Sequence, residues 1–373
     1  MGSGTAFAPH VAVIGSGVAG ASTAFSLASA GARVTVIDAG APGAATMAGA
    51  GIIMPWATAA GGEFYRLYAD GAEHYPRLLA QLAEHGVREV GYRVTGGLLM
   101  NDDAAVVDAA AARIRPRIAG SGVAGTLERV DGDRAVGLVP PLRPGLAGLY
   151  LSGAARVDGR LLRRGLLRAT ADLGATVRGA PARLVPGAGD TGRVRVESDG
   201  VSIEPDAVVV AAGAWTDAVL RPLGVRVGVT GQRGQILHLR ADGLDTSRWP
   251  SVHPLSDVYL VAFDDSRVVF GATRESGSGI DARATAAGQR MLYNGVLSLA
   301  PGLADATVLE TRVGIRPVSA DPAAGAAGAG LPVVRRVDEH VWVNAGFGAA
   351  GLTMGPVVGH RLAAEVLGRL GWT

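Results

Sequence analysis

Residues 10–38, HVAVIGSGVAGASTAFSLASAGARVTVID, leave a chain few choices of fold. The apolar run VAVI at 11–14 has no polar alternation, as expected of a short strand buried on both faces. Gly15-Ser16-Gly17-Val18-Ala19-Gly20 follows at once, then an apolar helical segment to about Ser29, closed at Gly31. VTVI at 34–37 is a second buried strand and ends on Asp38. The whole is a βαβ unit carrying G-x-G-x-x-G, with an acidic residue about twenty positions further on. Gly15 permits the tight turn, Gly17 lets backbone approach a pyrophosphate, and Gly20 lets helix and strand pack closely. The helix N-terminus offers free N–H groups to the phosphates, and Asp38 can accept hydrogen bonds from a ribose. A bound dinucleotide is predicted. The motif does not separate NAD from FAD, but an acid at position 38 argues against NADP.

Composition narrows the class. A chain of 373 residues exceeds one ordinary core and predicts two domains. Hydrophobic residues make up 48% and charged residues 18%, the balance of a packed globular protein. All 35 basic residues are arginine, and against 33 acidic residues they leave a net charge of only +2. With no basic run, RNA-binding signature or zinc-finger spacing, no nucleic-acid partner is expected. The lack of cysteine excludes disulfides, thiolate metal sites, Fe–S clusters, a cysteine nucleophile and a cysteinyl tether for a flavin. No run of about 18 uncharged apolar residues occurs, so no transmembrane helix is expected. MGSGTAFAPH lacks the basic and apolar regions of a signal peptide, which makes a cytoplasmic location the expectation.

Downstream, GAPGAATMAGAGIIMPWA (40–57) has one hydroxyl, Thr46, and no helical or strand period before Ile52. Small residues there would let backbone lie flat against a planar ligand. RLLRRGLLRATADLGA (160–175) reads as a helix, and ATVRGAPARLVPGAG with GRVRVESDGV as a β-meander. VVVAA is a strand stopped by Gly213 and followed by Trp215. GEFYRLYADGAEHYPRLLAQLAEHG and DDAAVVDAAAARIRP read as helices; RGQILHLR, DVYLVAF and RVVFGATRE as strands of an antiparallel sheet. In TRVGIRPVSADP (311–322), Arg316 stands before a proline, in a stretch where Val313 and Ile315 look buried. A buried cation is costly unless an anion meets it. Glu310 or Asp321 could be an internal mate; the alternative is a ligand carboxylate, which the planar guanidinium fork matches in two parallel hydrogen bonds.

Eight segments occur in the order found in the FAD-dependent D-amino acid oxidase superfamily, and the chain resembles that family over residues 10–367. They are VIGSGVAGASTAFSLASAGARVTVID, ATMAGAGIIMPW, ARVDGRLLRRGLLRATADLGATV, VVVAAGAWT, RGQILHL, GATRE, RVGIRPVSAD and NAGFGAAGLTMGP. The group includes glycine oxidase, monomeric sarcosine oxidase and bacterial D-amino acid dehydrogenases. The resemblance implies an α/β fold, in which a Rossmann-like FAD-binding domain (1–54, 144–226 and 312–373) is interleaved with another domain. That second, α+β substrate (cap) domain would take residues 55–143 and 227–311 and be built on an antiparallel sheet. FAD, held non-covalently, is the implied cofactor. Its contacts would come from the opening motif (Gly15, Ser16, Gly17, Val18, Ala19, Gly20), then Asp38 and Ala39. The small-residue run would add Thr46, Met47, Gly49, Ala50, Gly51 and Ile52. Further along, Ala182, Ala212, Gly213 and Trp215 are expected, and in the last segment Gly348, Ala350, Gly351, Leu352 and Thr353.

The same resemblance implies oxidation of an amino acid or amine, most simply a D-amino acid. Arg316 would hold the substrate carboxylate, Tyr259 would assist it, and the Ala349 carbonyl would accept from the amine. A second arginine common in glycine oxidases is replaced here by alanine, which lowers the case for glycine itself. His253, a lone histidine, is assigned a structural role. Without lysine, the chain lacks the residue that sarcosine oxidase-like enzymes set near the flavin for oxygen. A quinone or other electron carrier thus joins oxygen as candidate acceptor, and Arg233 is the substitute cation. Rival readings are oxidation of a secondary or cyclic amine, or of an unusual amino acid in biosynthesis, and an FAD-binding protein without turnover. An NAD-dependent dehydrogenase would leave ATMAGAGIIMPW and NAGFGAAGLTMGP without a purpose.

Overall fold

In the computed structural model, which describes residues 8–187, 192–256, 258–319 and 330–372, the opening strand His10–Ile14 is central to a six-stranded sheet. Arg33–Ile37 and then Thr176–Arg178 lie on one side, and Ala207–Val210, Val341–Ala345 and Val333–Asp338 on the other. Four of the five pairings are parallel, and the one at the Val333–Asp338 edge is antiparallel. The helices Val18–Ser29 and Gly351–Arg369 pack along each other. They cover one face of the sheet, where Val11, Val13, Leu27, Leu362 and Val366 share a core. The other face, carrying Ala12, Ile14, Val208 and Val210, is closed by Leu184 and Val196 of a small three-stranded sheet. Burial on both faces is why these strands read as unbroken apolar runs.

The second large sheet has eight strands. In spatial order they are Thr307–Ser319, Val229–Arg240, Arg267–Gly271, Tyr259–Ala262, Ser251–His253, Gly97–Asn101, Ala147–Leu151 and Leu127–Val130. Its strands alternate, as a half-buried sheet should. Leu237, Leu260 and Phe270 pack with Leu292 and Val296 of the helix Ala286–Leu299. Ile236, Val261 and Val269 turn the opposite way, toward Ala50 of the small-residue run. The sheet therefore forms a roof over that run.

Several local expectations need correction. Ala45–Ala48 is a short helix where no period was read. Thr176–Arg178 extends the six-stranded sheet, and the meander begins only at Arg183. Val313 is half-buried, whereas Ile315 is fully buried. Ala147–Leu151, inside the expected 144–226 segment, belongs to the eight-stranded sheet, so the chain changes sheet after Leu151. The strand Thr307–Ser319 runs continuously through the expected boundary at 312. Such a strand reaches from one sheet toward the other and carries Arg316 with it.

Candidate active site

Gly15 turns the chain between the first strand and its helix at φ +99°, and a Cβ there would lie 2.4 Å from the Ala211 carbonyl. A Cβ on Gly20 would come within 2.0 Å of the Gly15 carbonyl, so the first helix sits against the turn as closely as backbone allows. The helix begins at Val18 with no side chain of its own as cap. Instead the Thr46 hydroxyl accepts from the Val18 N–H at 2.9 Å. Asp38 accepts from the Ser16 N–H and hydroxyl, both at 2.6 Å, and from the Gly40 N–H at 2.6 Å. Burial alone would raise its pKa. The hydrogen bonds from Ser16 and Gly40, with the Arg163 charge, hold it below the usual carboxylate value. Arg163 in turn donates to the Ser16 carbonyl at 2.8 Å.

These groups line one end of a cavity of about 850 Å³. Gly15, Gly17, Val18, Ala19, Asp38 and Ala39 border it, as do Thr46, Gly49, Ala50, Gly51 and Ile52. Ala182, Ala212, Gly213 and Trp215 close one side; Gly348, Gly351, Leu352 and Thr353 another. Four expected contacts stand behind the wall instead. Ser16 is fully buried on Asp38, and Gly20 packs against the turn. The Met47 carbonyl accepts from Arg160 at 2.9 Å, and the Ala350 N–H donates to the Phe347 carbonyl at 3.0 Å. Each of these positions supports a lining residue through its backbone or packing, which a motif read as a continuous string does not separate from contact.

Arg316, Tyr259 and Ala349 border the same cavity. Arg316 Nη1 donates to the Thr273 carbonyl at 3.0 Å, and its guanidinium lies flat over Gly234, where a Cβ would fall 2.5 Å from Nη2. Only glycine allows that approach. Glu310 is not its mate, because Glu310 pairs with Arg312 at 2.7 Å; Asp321 lies outside the described residues. The Gly348 N–H donates to the Pro317 carbonyl at 2.7 Å, and the Ile315 N–H to the Gly43 carbonyl at 2.8 Å. The Arg316 strand is thus stitched on one side to the Gly348–Ala349 segment and on the other to the small-residue run. Burial raises the Tyr259 pKa while the Arg316 and Arg274 charges oppose it, so the phenol stays protonated at neutral pH.

Other lining residues carry no motif. Arg113 and Arg274 border the cavity, and among its described lining residues Asp38 is the sole carboxylate. Asn344 lines it with Oδ1 buried and unpartnered. His253, assigned above to structure, also lines it; burial pushes its pKa down to about 4, and its ring stands 6.1 Å from that of Tyr259. It is a neutral imidazole beside Tyr259. Arg233, offered as a cation for oxygen, is absent from the lining: it is paired with Glu275 at 2.7 Å and Asp281 at 2.9 Å. Nothing in AARIRP separates Arg113 from its neighbours Arg115 and Arg117, so only folding could reveal it.

The glycine turn, the start of the helix at Val18, Asp38 and the unpartnered Asn344 Oδ1 fit a dinucleotide. Among the described residues no helix is long and apolar enough to cross a membrane, and no three potential metal ligands converge. The chain belongs to the FAD dependent oxidoreductase (DAO) family, which matches residues 10–365. It is similar to iminodiacetate oxidase from Chelativorans sp. BNC1, with 45% identity, a TM-score of 0.90 and coverage of 96% of this chain and 95% of that one. It is 41% identical to the uncharacterized oxidoreductase YurR of Bacillus subtilis over 96% of this chain and 94% of the relative. Glycine oxidase of Pseudomonas putida is 30% identical over 93% of this chain and 91% of its own length. The protein is an FAD-dependent oxidoreductase acting on an amine or amino acid.

Proposed function

We propose that the chain oxidises the carbon–nitrogen bond of a small amino acid held by its carboxylate at Arg316. The observation that carries this reading is that Arg316 borders the same cavity as the dinucleotide cradle and is tied to it by backbone hydrogen bonds on both sides. FAD would supply the two-electron acceptor for oxidation of the C–N bond by hydride transfer from the α-carbon, and water would hydrolyse the resulting imine. Gly15, Gly17, Asp38, Thr46 and the start of the helix Gly351–Arg369 would hold it. Arg316 supplies a planar fork for the carboxylate, made rigid by the Thr273 carbonyl and the bare face of Gly234. Tyr259 adds a hydroxyl donor, and the Ala349 carbonyl accepts from the amine. Three lining guanidiniums disfavour an ammonium nearby, so the substrate nitrogen is held neutral with its lone pair available.

A D-amino acid is the first reading. An N-substituted glycine is the second, favoured by the 45% identity to a protein named iminodiacetate oxidase. That name and the name glycine oxidase also favour oxygen as acceptor over the carrier expected from the lack of lysine. Stoichiometric peroxide formation under air checks this. Arg316→Ala should raise KM for the amino acid by roughly 100-fold or more while the purified protein keeps its flavin. An unchanged KM would sink the reading.

A further inference from the structure

Arg113 projects from the helix Ala104–Ile118 into the cavity that Arg316 enters from the strand Thr307–Ser319. Its guanidinium makes one hydrogen bond, from Nη2 to the Ala57 carbonyl at 3.2 Å. Its Nε is buried and has no partner. Among the described residues no carboxylate pairs with it. One turn on, Arg117 shows what a structural arginine looks like here. It donates to the carbonyls of Trp56, Thr58 and Ala60 and stacks on the Tyr65 ring at 4.0 Å from its centroid. Arg117 alone therefore braces the loop that Arg113 touches once. A carbonyl supplies a dipole and no charge, so Arg113 remains a cation facing the cavity, and such a group is costly without an anion. Asp38, the cavity's carboxylate, is committed to Ser16 and Gly40 beside the glycine turn. The phosphates of a dinucleotide have the helix start at Val18.

We propose that Arg113 receives a second anionic group of the substrate, so that the preferred substrate is an amino acid with two carboxylates, one at Arg316 and the other at Arg113. The inference rests on the reading of Arg316 as carboxylate anchor and goes beyond it in naming the substrate class. A neutral amide in place of the second carboxylate leaves the cation unmet inside the cavity. The discrimination is then electrostatic, with little dependence on shape.

The test uses isosteric pairs with the holoenzyme: D-glutamate against D-glutamine, D-aspartate against D-asparagine, and iminodiacetate against its monoamide. The acid should exceed the amide in kcat/KM by on the order of 100-fold in at least one pair. Arg113→Met should collapse that ratio to below about tenfold, and Arg113→Lys should restore part of it. In parallel, succinate and glutarate should perturb the flavin absorption of the holoenzyme more tightly than butyrate, and lose that advantage in Arg113→Met. Equal turnover of acid and amide overturns the proposal and leaves the Arg316 reading intact. So does a ratio that responds to Arg274→Met but not to Arg113→Met. If Arg113→Met chiefly weakens FAD retention, the residue serves the cofactor and the proposal fails. If no amine of any pair bleaches the flavin, the Arg316 reading falls and this inference with it.

Discussion

The two ends of the cavity are built in opposite ways. At the dinucleotide end the groups are mostly backbone N–H, glycines and one acid, the larger part from the stretch between Gly15 and Ile52, with small residues near Gly213 and Gly351 closing the sides. At the other end, where the proposal puts the substrate, the lining groups are long side chains, Arg113, Tyr259, Arg274 and Arg316, brought from segments far apart in the chain. Backbone recognition tolerates no added atoms, because the ligand and neighbouring chain occupy the space a Cβ would need. Side-chain recognition tolerates change in the fold but is decided by charge. On the proposed reading, the first end would read what all users of the cofactor share, and the second what distinguishes one substrate from another.

The contrast can be broken most violently at Gly15. Gly15→Val would combine a strained left-handed φ with a Cβ at 2.4 Å from Ala211, and should cost more than about 3 kcal/mol and the bound flavin together. A urea melt with the absorption spectrum checks both. A Gly15→Val protein that remains yellow and stable would show that the turn is not the cradle.

Acid should separate the two ends by a smaller margin. Burial depresses His253 and His74 to about 4 and His238 to about 3, with the Arg312, Arg267 and Arg160 charges adding to His238 and the His360, Arg77 and Arg361 charges to His74. Each is neutral in the fold and has an unfolded pKa near 6.5, so the unfolded chain binds more protons as pH falls. Stability from these groups is present in full above roughly pH 6.5 and is lost progressively down to about pH 4, at ~1.4 kcal/mol per unit of depression at most. Asp38 is also shifted down, which for an acid favours the charged form, so it keeps its charge across that window. His253 lies at the substrate end, and His74 stacks on His360 between the helices Gly62–Glu84 and Gly351–Arg369. Denaturation midpoints should therefore fall from pH 7.5 to 4.5, and a midpoint that stays level across that range would show that burial does not hold these imidazoles neutral.

The gentlest probe is Tyr259→Phe. Removing one neutral donor from a carboxylate already held by arginine should raise KM by about tenfold, with kcat less affected. A larger loss in kcat than in KM would move Tyr259 from anchoring to the chemistry.

Legibility in the sequence followed the same division. The glycine turn, Asp38 and the small-residue run were readable because every atom they need lies within one βαβ unit and the segment after it. Arg316 stood out in the sequence as a cation beside a proline, and of its two candidate mates Glu310 is committed to Arg312 while Asp321 lies outside the described residues. Ser16, Gly20, Met47 and Ala350 were placed one layer too close, since a motif gives spacing and not the direction in which a residue faces. His253 was assigned to structure, and Arg113 went unnoticed in an arginine-rich helix. What the sequence determined by itself was a dinucleotide-binding βαβ unit and the later helices and strands, because local periodicity and glycine placement encode backbone geometry directly; FAD and the two-domain plan followed from the family resemblance. Which of 35 arginines face the cavity was decided only by the tertiary structure. A guanidinium acquires its meaning from the anions and carbonyls that folding brings within reach of it, and for Arg113 folding brings one carbonyl.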